Sequence, residues 1–257
     1  MAIRRDDRFS PNSIANDRAI LQSVCDLVGN DIEMVDEALL TEGHVADVYL
    51  SMGRLPGTIR LLKSFEMGGA IVVNSGYGVA ACARSKLHET MKVNHIPMPP
   101  ADGIHGYWLK RGDEAAQSEG DVVYCPDGVS LVQAEEMFKE RGIDNYVVSA
   151  HMPGDVVKFY GVGDRFFRYF YPSDDHHTKF SHELVNGEAH HYPFDERLFR
   201  HEAARLAEII SLDVYGGDAI IDEEGHFYII DFNDWPSFSR CREEAAKAIA
   251  SLVKNRM

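Results

Sequence analysis

The chain has 257 residues, and 41 Asp plus Glu against 26 Lys plus Arg give a formal net charge of −15 with His neutral. This is one large domain or two small ones, with chain enough to bury a core, and 45% hydrophobic with 26% charged residues is a soluble globular composition. The acidic balance excludes a nucleic-acid coat, which needs clustered Lys and Arg, and it disfavours a heavily phosphorylated ligand unless a metal offsets the repulsion.

Asn12 and Ser13 are placed to cap a helix carrying Ile20, Val24, Leu27 and Val28, with Gly29 at its end. Short strands are expected at Ile32–Val35 and Val45–Met52, a helix from Gly57 and Thr58 to Gly68, and a buried strand at Ala70–Asn74. A helix over about Ser85–Asn94 stops at Pro97, Pro99 and Pro100, the best boundary in the chain. Beyond it the pattern becomes strand-rich, with Tyr107–Lys110, Asn145–His151, Val156–Tyr160 and Arg165–Tyr171 as strands and one helix capped by Ser130 with Gln133. Helices carrying Phe199, Ala203, Leu206 and Ile210, and then Ala245, Ala248, Ile249 and Leu252, close the chain. Cys25, Cys82, Cys125 and Cys241 lie tens of residues apart and read as buried free thiols. No stretch approaches ~18 apolar residues, so a cytoplasmic protein without a membrane partner is expected.

The most informative segment is GGDAIIDEEGHFYIIDFNDWPSF, residues 216–238. Asp222-Glu-Glu-Gly225 turns between two apolar strands, which makes a hairpin. A two- or four-residue loop pairs position 218 with 229 and sets Asp218, Ile229, Asp231 and Asn233 on one face. The two carboxylates then lie within about 7 to 8 Å at the backbone, close enough to share hard cations. Oxygen-only ligands suit Mg²⁺ or Mn²⁺ bridging to substrate phosphates; the other reading is the polar solvent face of an edge hairpin.

Phosphates held by such a metal need cations on their far side, and Lys110 and Lys158 both interrupt apolar strand-like runs. The loop 111–121 has Gly112 and Gly120 but no dense glycine run, a weak phosphate cradle. The strand Tyr146–Met152 followed by Pro153-Gly154 presents a backbone edge suited to adenine. Five of the twelve histidines, His176, His177, His182, His190 and His191, fall within 174–191 in no zinc-like spacing; they read as a polar loop, with substrate recognition and metal binding as alternatives. Arg168 and Lys179 are read as solvated, with contact to an anionic substrate as the alternative, and Asp17-Arg18 with the FSPN segment as candidates to line the cleft.

In order and spacing these pieces resemble the ATP-grasp superfamily over roughly residues 70–253: the Asn74 strand end, Arg84-Ser-Lys86 opening a helix, the Lys110 strand, the hinge 147–152, Gly154-Asp-Val-Val-Lys158, Asp218, and Asp231-Phe-Asn233. The resemblance implies an α/β fold of α+β lobes: a Rossmann-like N-terminal domain over 1–100, a small lid over 101–151 and a metal-bearing lobe over 152–257. It implies ATP held by Arg84, Lys110 and Lys158 and by the hinge backbone at Val148, Ser149, Ala150 and His151, with Mg²⁺ or Mn²⁺ on Asp218, Asp231 and Asn233. Lys110, Lys158 and Arg240 are the implied catalytic residues, Arg240 being placed like acceptor-binding residues of the superfamily. The leading function is ligation of a small-molecule or peptide carboxylate to an amine or other nucleophile through an acyl phosphate. The wording Arg84-Ser-Lys86, Val157-Lys-Phe-Tyr160 and Ile230-Asp-Phe-Asn233 is similar to the inositol polyphosphate 5/6-kinase branch, so a small-molecule kinase is the alternative. A non-catalytic nucleotide-binding protein is the third reading, and homodimer formation stays open. The ligases' glycine-rich loop is replaced here by residues 112–120, and no basic cluster in residues 1–75 matches a polyphosphate acceptor.

Overall fold

The computed structural model describes residues 1–29, 32–113, 119–175 and 185–257. The first sheet is parallel, in the order β2-β1-β3-β4, from β1 (Ala2–Arg4), β2 (Met34–Asp36), β3 (Val48–Ser51) and β4 (Ile71–Val73). Parallel pairing needs crossover helices, supplied by α1 (Ile14–Val28) and α2 (Pro56–Met67). Side-chain alternation sends Ala2, Leu50 and Val73 into a core with α1, and Ile3, Tyr49 and Val72 into a core with Leu62 of α2. The strands expected at Ile32–Val35 and Val45–Met52 are shorter and begin later, and β1 was not expected, since three residues carry too little alternation to read. Ser13 stands at the N-cap of α1 without a side-chain bond.

After β4 come a short α3 (Gly76–Ala81) and α4 (Arg84–Val93). Asn74 is fully buried, and its Nδ2 donates to Val214 O at 2.7 Å while its Oδ1 accepts from Val214 N at 2.7 Å and Asp213 N at 3.1 Å. That amide staples the first sheet to a strand 140 residues away. Asn74→Ala takes the acceptor from the amides of Val214 and Asp213, while Val214 O keeps its bond from Trp235 N, and an unfolding titration should show a loss of about 2 to 4 kcal/mol; a loss below about 0.5 kcal/mol, the range of an ordinary surface change, would remove its role as a staple.

The second sheet, in the order β6-β5-β7, contains β5 (Tyr107–Arg111), β6 (Val122–Cys125) and β7 (Tyr146–Ala150) and is backed by α5 (Gly128–Glu140). Leu109, Cys125, Ala134, Phe138 and Ile143 form its core, which leaves Trp108, Lys110, Tyr124 and Ser149 on the opposite face. The capping box of α5 is Asp127 with Ser130, not Ser130 with Gln133: the Asp127 carboxylate accepts from Ser130 N at 2.8 Å, one turn earlier than expected.

The third sheet is antiparallel, in the order β11-β10-β8-β9, from β8 (Asp155–Val162), β9 (Phe166–Phe170), β10 (Val214–Ile221) and β11 (Phe227–Asp234). Its face bearing Val157, Phe159, Ala219, Ile221 and Phe232 packs on Phe199, Ala203 and Leu206 of α6 (Glu196–Ile209), each large apolar side chain contributing about 1.5 to 3 kcal/mol. Tyr160, Val162, Trp235 and Phe238 join α1 and the closing helix α7 (Arg242–Lys254) in another core. Among the described residues no helix is long and apolar enough to cross a membrane.

Candidate active site

The turn of the β10–β11 hairpin is longer than the two or four residues expected: Ile221 pairs with Phe227, leaving 222–226 between them, and Asp222 N donates to His226 O at 2.9 Å. This odd count shifts the register by one, so Ala219, not Asp218, opposes Ile229, and Ile229 turns into the α6 core rather than to the carboxylate face. A β-bulge between Asp218 and Ala219 restores the parity, because Ile230 is skipped and Asp218 pairs directly with Asp231. Gly216 then opposes Asn233, and the face holds Asp218, Asp231 and Asn233 as expected, with the carboxylates directly rather than diagonally opposed. Gly217 makes this crossing fit, since a Cβ there would lie 2.1 Å from Asp231 O and 2.7 Å from the Phe159 ring. Gly217→Ala should destabilise the hairpin by about 2 kcal/mol or more, read by chemical unfolding.

The skipped residue leaves its carbonyl unpaired in the ladder, and Lys110 fills it: Nζ donates to Ile230 O at 3.1 Å. Through that bond the second sheet meets the strand that carries Asp231 and Asn233. Lys158 sits opposite Asp218 in the β8–β10 register and donates to its carboxylate at 2.9 Å. Asn233 Nδ2 donates to Asp231 Oδ2 at 3.0 Å, so its amide oxygen points elsewhere and is available as a ligand. Arg84, at the start of α4, donates to the carbonyl of Arg111 and adds its charge to Lys110 and Asp231. Burial pushes the Asp231 pKa up, but Arg84, Lys110, the Asn233 amide and Lys158 outweigh it, so the carboxyl lies below its ordinary range. Burial lowers the Lys110 pKa, against the pull of Asp231 and with help from Arg84. Two carboxylates and an amide oxygen on one face, with no sulfur or imidazole among them, fit a hard divalent cation.

β7 is an edge strand, with an open side beyond β5. Ala150 N donates to Pro100 O and His151 N to Gly106 O, both at 2.8 Å, so alternation turns the backbones of Val148 and Ala150 outward and those of Ser149 and His151 inward. The Val148 side chain packs against the Leu109, Cys125 and Phe138 core, leaving only its backbone for a ligand. With the Ala150 N–H taken, the open edge offers the Ala150 carbonyl and, two residues on, the Met152 N–H, which has no partner among the described residues. Trp108 Nε1 donates to His151 Nδ1 at 3.1 Å, and the Tyr124 ring stands 5.3 Å from that imidazole, edge to face. Burial, helped by His105, lowers the His151 pKa and favours the neutral ring.

Arg240 packs over the Phe170 ring at 5.5 Å and donates to Tyr171 O at 3.2 Å, on the β8–β9 side of the carboxylates. Arg168 pairs instead with Glu244 at 2.8 Å on the exposed surface. The described histidines of the His-rich stretch are not brought together on a metal: His190 lies 3.4 Å from Asp155 and His191 3.1 Å from Asp174. His176, His177, His182 and Lys179 lie outside the described residues. Asp17 is buried against Arg5, and Arg18 pairs with Asp7. Arg5 also bonds the Asp234 carboxylate at 3.2 Å and Trp235 O at 3.0 Å, and Arg54 reaches Asp234 at 2.7 Å. Two arginines that follow β1 and β3 thus fix the strand end next to Asn233, a role that scattered basic residues do not announce in sequence.

No family model matches the sequence, and no curated protein matches it. Solved structures do. Over 99% of this chain and 100% of that one, it superposes on a RimK domain ATP-grasp protein from Sphaerobacter thermophilus with a TM-score of 0.66 at 17% identity. An ATP-grasp ligase, PsnB, complexed with a minimal precursor gives 0.63 at 12% identity, covering 100% and 99% of the two chains. The D-alanine–D-alanine ligase of Bacillus anthracis gives 0.66 at 11% identity, covering 98% and 95%. Such low identities carry architecture and not chemistry. What this likeness shows is the fold, which is that of the ATP-grasp structures.

Proposed function

We propose that the protein is an ATP- and Mg²⁺-dependent ligase that phosphorylates a small-molecule or peptide carboxylate and lets an amine or other nucleophile displace the phosphate. The observation that carries this reading is the β-bulge, which sets Asp218 against Asp231 and hands the Ile230 carbonyl to Lys110. Mg²⁺ or Mn²⁺ on Asp218, Asp231 and Asn233 would supply charge neutralisation on the transferred phosphoryl group. Lys110 and Arg84 face the phosphates from the lid side and Lys158 from the sheet, as fixed charges that need not reorganise during transfer. The Ala150 carbonyl and Met152 N–H, an acceptor and a donor two residues apart, match the amino group and N1 of adenine and mismatch guanine. Trp108, Tyr124 and His151 wall the base, and Arg240 faces the acceptor. Boundaries near residues 100 and 151 belong to the same reading, since the three sheets fall on either side of them.

The ligase reading favours a carboxylate because Arg5 and Arg54 are committed to Asp17 and Asp234, which leaves them poorly placed to bind a polyphosphate. Incubation with ATP, Mg²⁺, hydroxylamine and a panel of acids should release ADP and form a hydroxamate with one of them. Stable transfer of ³²P to a hydroxyl compound would establish the kinase alternative instead. An ATP-dependent melting shift with neither product across both panels would leave a nucleotide-binding protein.

A further inference from the structure

We propose that Asn186 is a positioning residue of the nucleotide site, holding the adenine-reading edge in place from a loop that follows the hinge by more than thirty residues. Its Nδ2 donates to Met152 O at 3.1 Å and to Gly154 O at 3.0 Å. Facing two carbonyls, only the NH₂ end of the amide fits, so its orientation follows from its partners. Asn186 thus binds the carbonyl of the very residue whose N–H stays open, and so stands beside the candidate adenine-reading edge.

The hinge needs such a support. β7 ends at Ala150 and β8 begins at Asp155, so residues 151–154 have no ladder of their own. Gly154 adopts φ +150°, and a Cβ there would lie 2.2 Å from Ile221 O, a close approach that only glycine allows. The loop bearing Asn186 is itself anchored at the next turn of chain. Asp155, 1% exposed, accepts from His190 N at 2.6 Å and from Tyr192 N at 2.9 Å. Met152 and Gly154 are thus held by one side chain, and Asp155 by two backbone amides of the same loop. Among the described residues of the histidine-rich stretch, the Asn186 side chain and the backbone amides of His190 and Tyr192 make these bonds, and the His190 imidazole stands 3.4 Å from the same Asp155 carboxylate.

This inference rests on the hinge being where adenine binds, and its test separates the two. Mg·ATP and Mg·tripolyphosphate are titrated by calorimetry into wild type, Asn186→Ala and Asn186→Asp. The phosphates and metal are common to both ligands; the base is not. ATP affinity should fall about tenfold in Asn186→Ala, which loses two hydrogen bonds, and further in Asn186→Asp, whose carboxylate faces two carbonyls. Tripolyphosphate affinity should stay within about twofold in both, because the change lies on the base side alone. If wild type binds tripolyphosphate as tightly as ATP, the hinge does not read adenine and the functional reading loses that element. If wild type prefers ATP and both variants keep that preference, Asn186 does not position the edge. An equal loss of both ligands would make Asn186 a residue of general structure and overturn the assignment.

Discussion

Asp231→Asn should fold and yet release ADP at no more than about a thousandth of the wild-type rate, since it removes both a ligand for the cation and the counter-charge of three basic groups. The substitution keeps the shape and the bond to Phe232 N, which Asp231 accepts at 3.1 Å. What it deletes is negative charge where Arg84, Lys110 and Lys158 converge, together with the oxygen that accepts from the Asn233 amide. The site is half-buried, so the stability cost is discounted for solvent screening and should stay below about 2 kcal/mol. ADP release over a Mg²⁺ series, with a melting curve for each variant, measures both quantities. Near wild-type turnover would sink the assignment of Asp231 to the cation, and loss of the folded state would show that its role is structural.

Lys110→Met should weaken Mg·ATP binding by about 10²-fold and slow turnover by a similar factor, because a charge-assisted contact to phosphate contributes about 1.5 to 3 kcal/mol. The variant also leaves the bulge carbonyl of Ile230 without its donor, a loss of about 1 kcal/mol seen in unfolding. Lys110→Arg should recover little, since a planar guanidinium cannot meet both that carbonyl and a phosphate from the same backbone position. The Mg²⁺ requirement should remain in Lys110→Met and weaken in Asp231→Asn, which distinguishes a phosphate contact from a metal ligand. An unchanged ATP affinity in Lys110→Met would move the phosphates away from the lid strand.

The candidate residues of the site were legible one by one. Asp218, Asp231 and Asn233 stood out because two apolar strands pointed polar groups the same way, and Lys110 and Lys158 because each broke an apolar run. Their shared face was expected for the wrong register. An even loop would have put Ile229 beside the carboxylates, whereas an odd loop and a bulge gave the same face with Ile229 in the core. Two parity changes cancelled, and alternation alone cannot reveal a pair of changes that cancel. The hinge was legible as an apolar strand before Pro153-Gly154, but which of its backbone groups stay open depended on Pro100 and Gly106, whose carbonyls take the neighbouring amides. The expected helices α6 and α7 form with Phe199, Ala203 and Leu206, and with Ala245 and Ile249, turned inward, because a period of 3.6 is unambiguous over thirteen or fourteen residues. The three-residue strands β1 and β2 carry no comparable signal.

By itself the sequence determined the longer helices and strands, their apolar faces and the oxygen-only character of the carboxylate hairpin, all of which follow from local periodicity and residue chemistry, while β1, α3 and β6 were too short to read. Tertiary structure alone decided that Lys110 meets the carbonyl freed by a bulge 120 residues away, that Arg5 and Arg54 hold Asp234 at the end of β11, and that Asn186 bonds the carbonyls of Met152 and Gly154. Those contacts join residues distant in the chain, and each is set by where packed sheets bring unpaired backbone groups, a property of three-dimensional closure that no window of sequence contains.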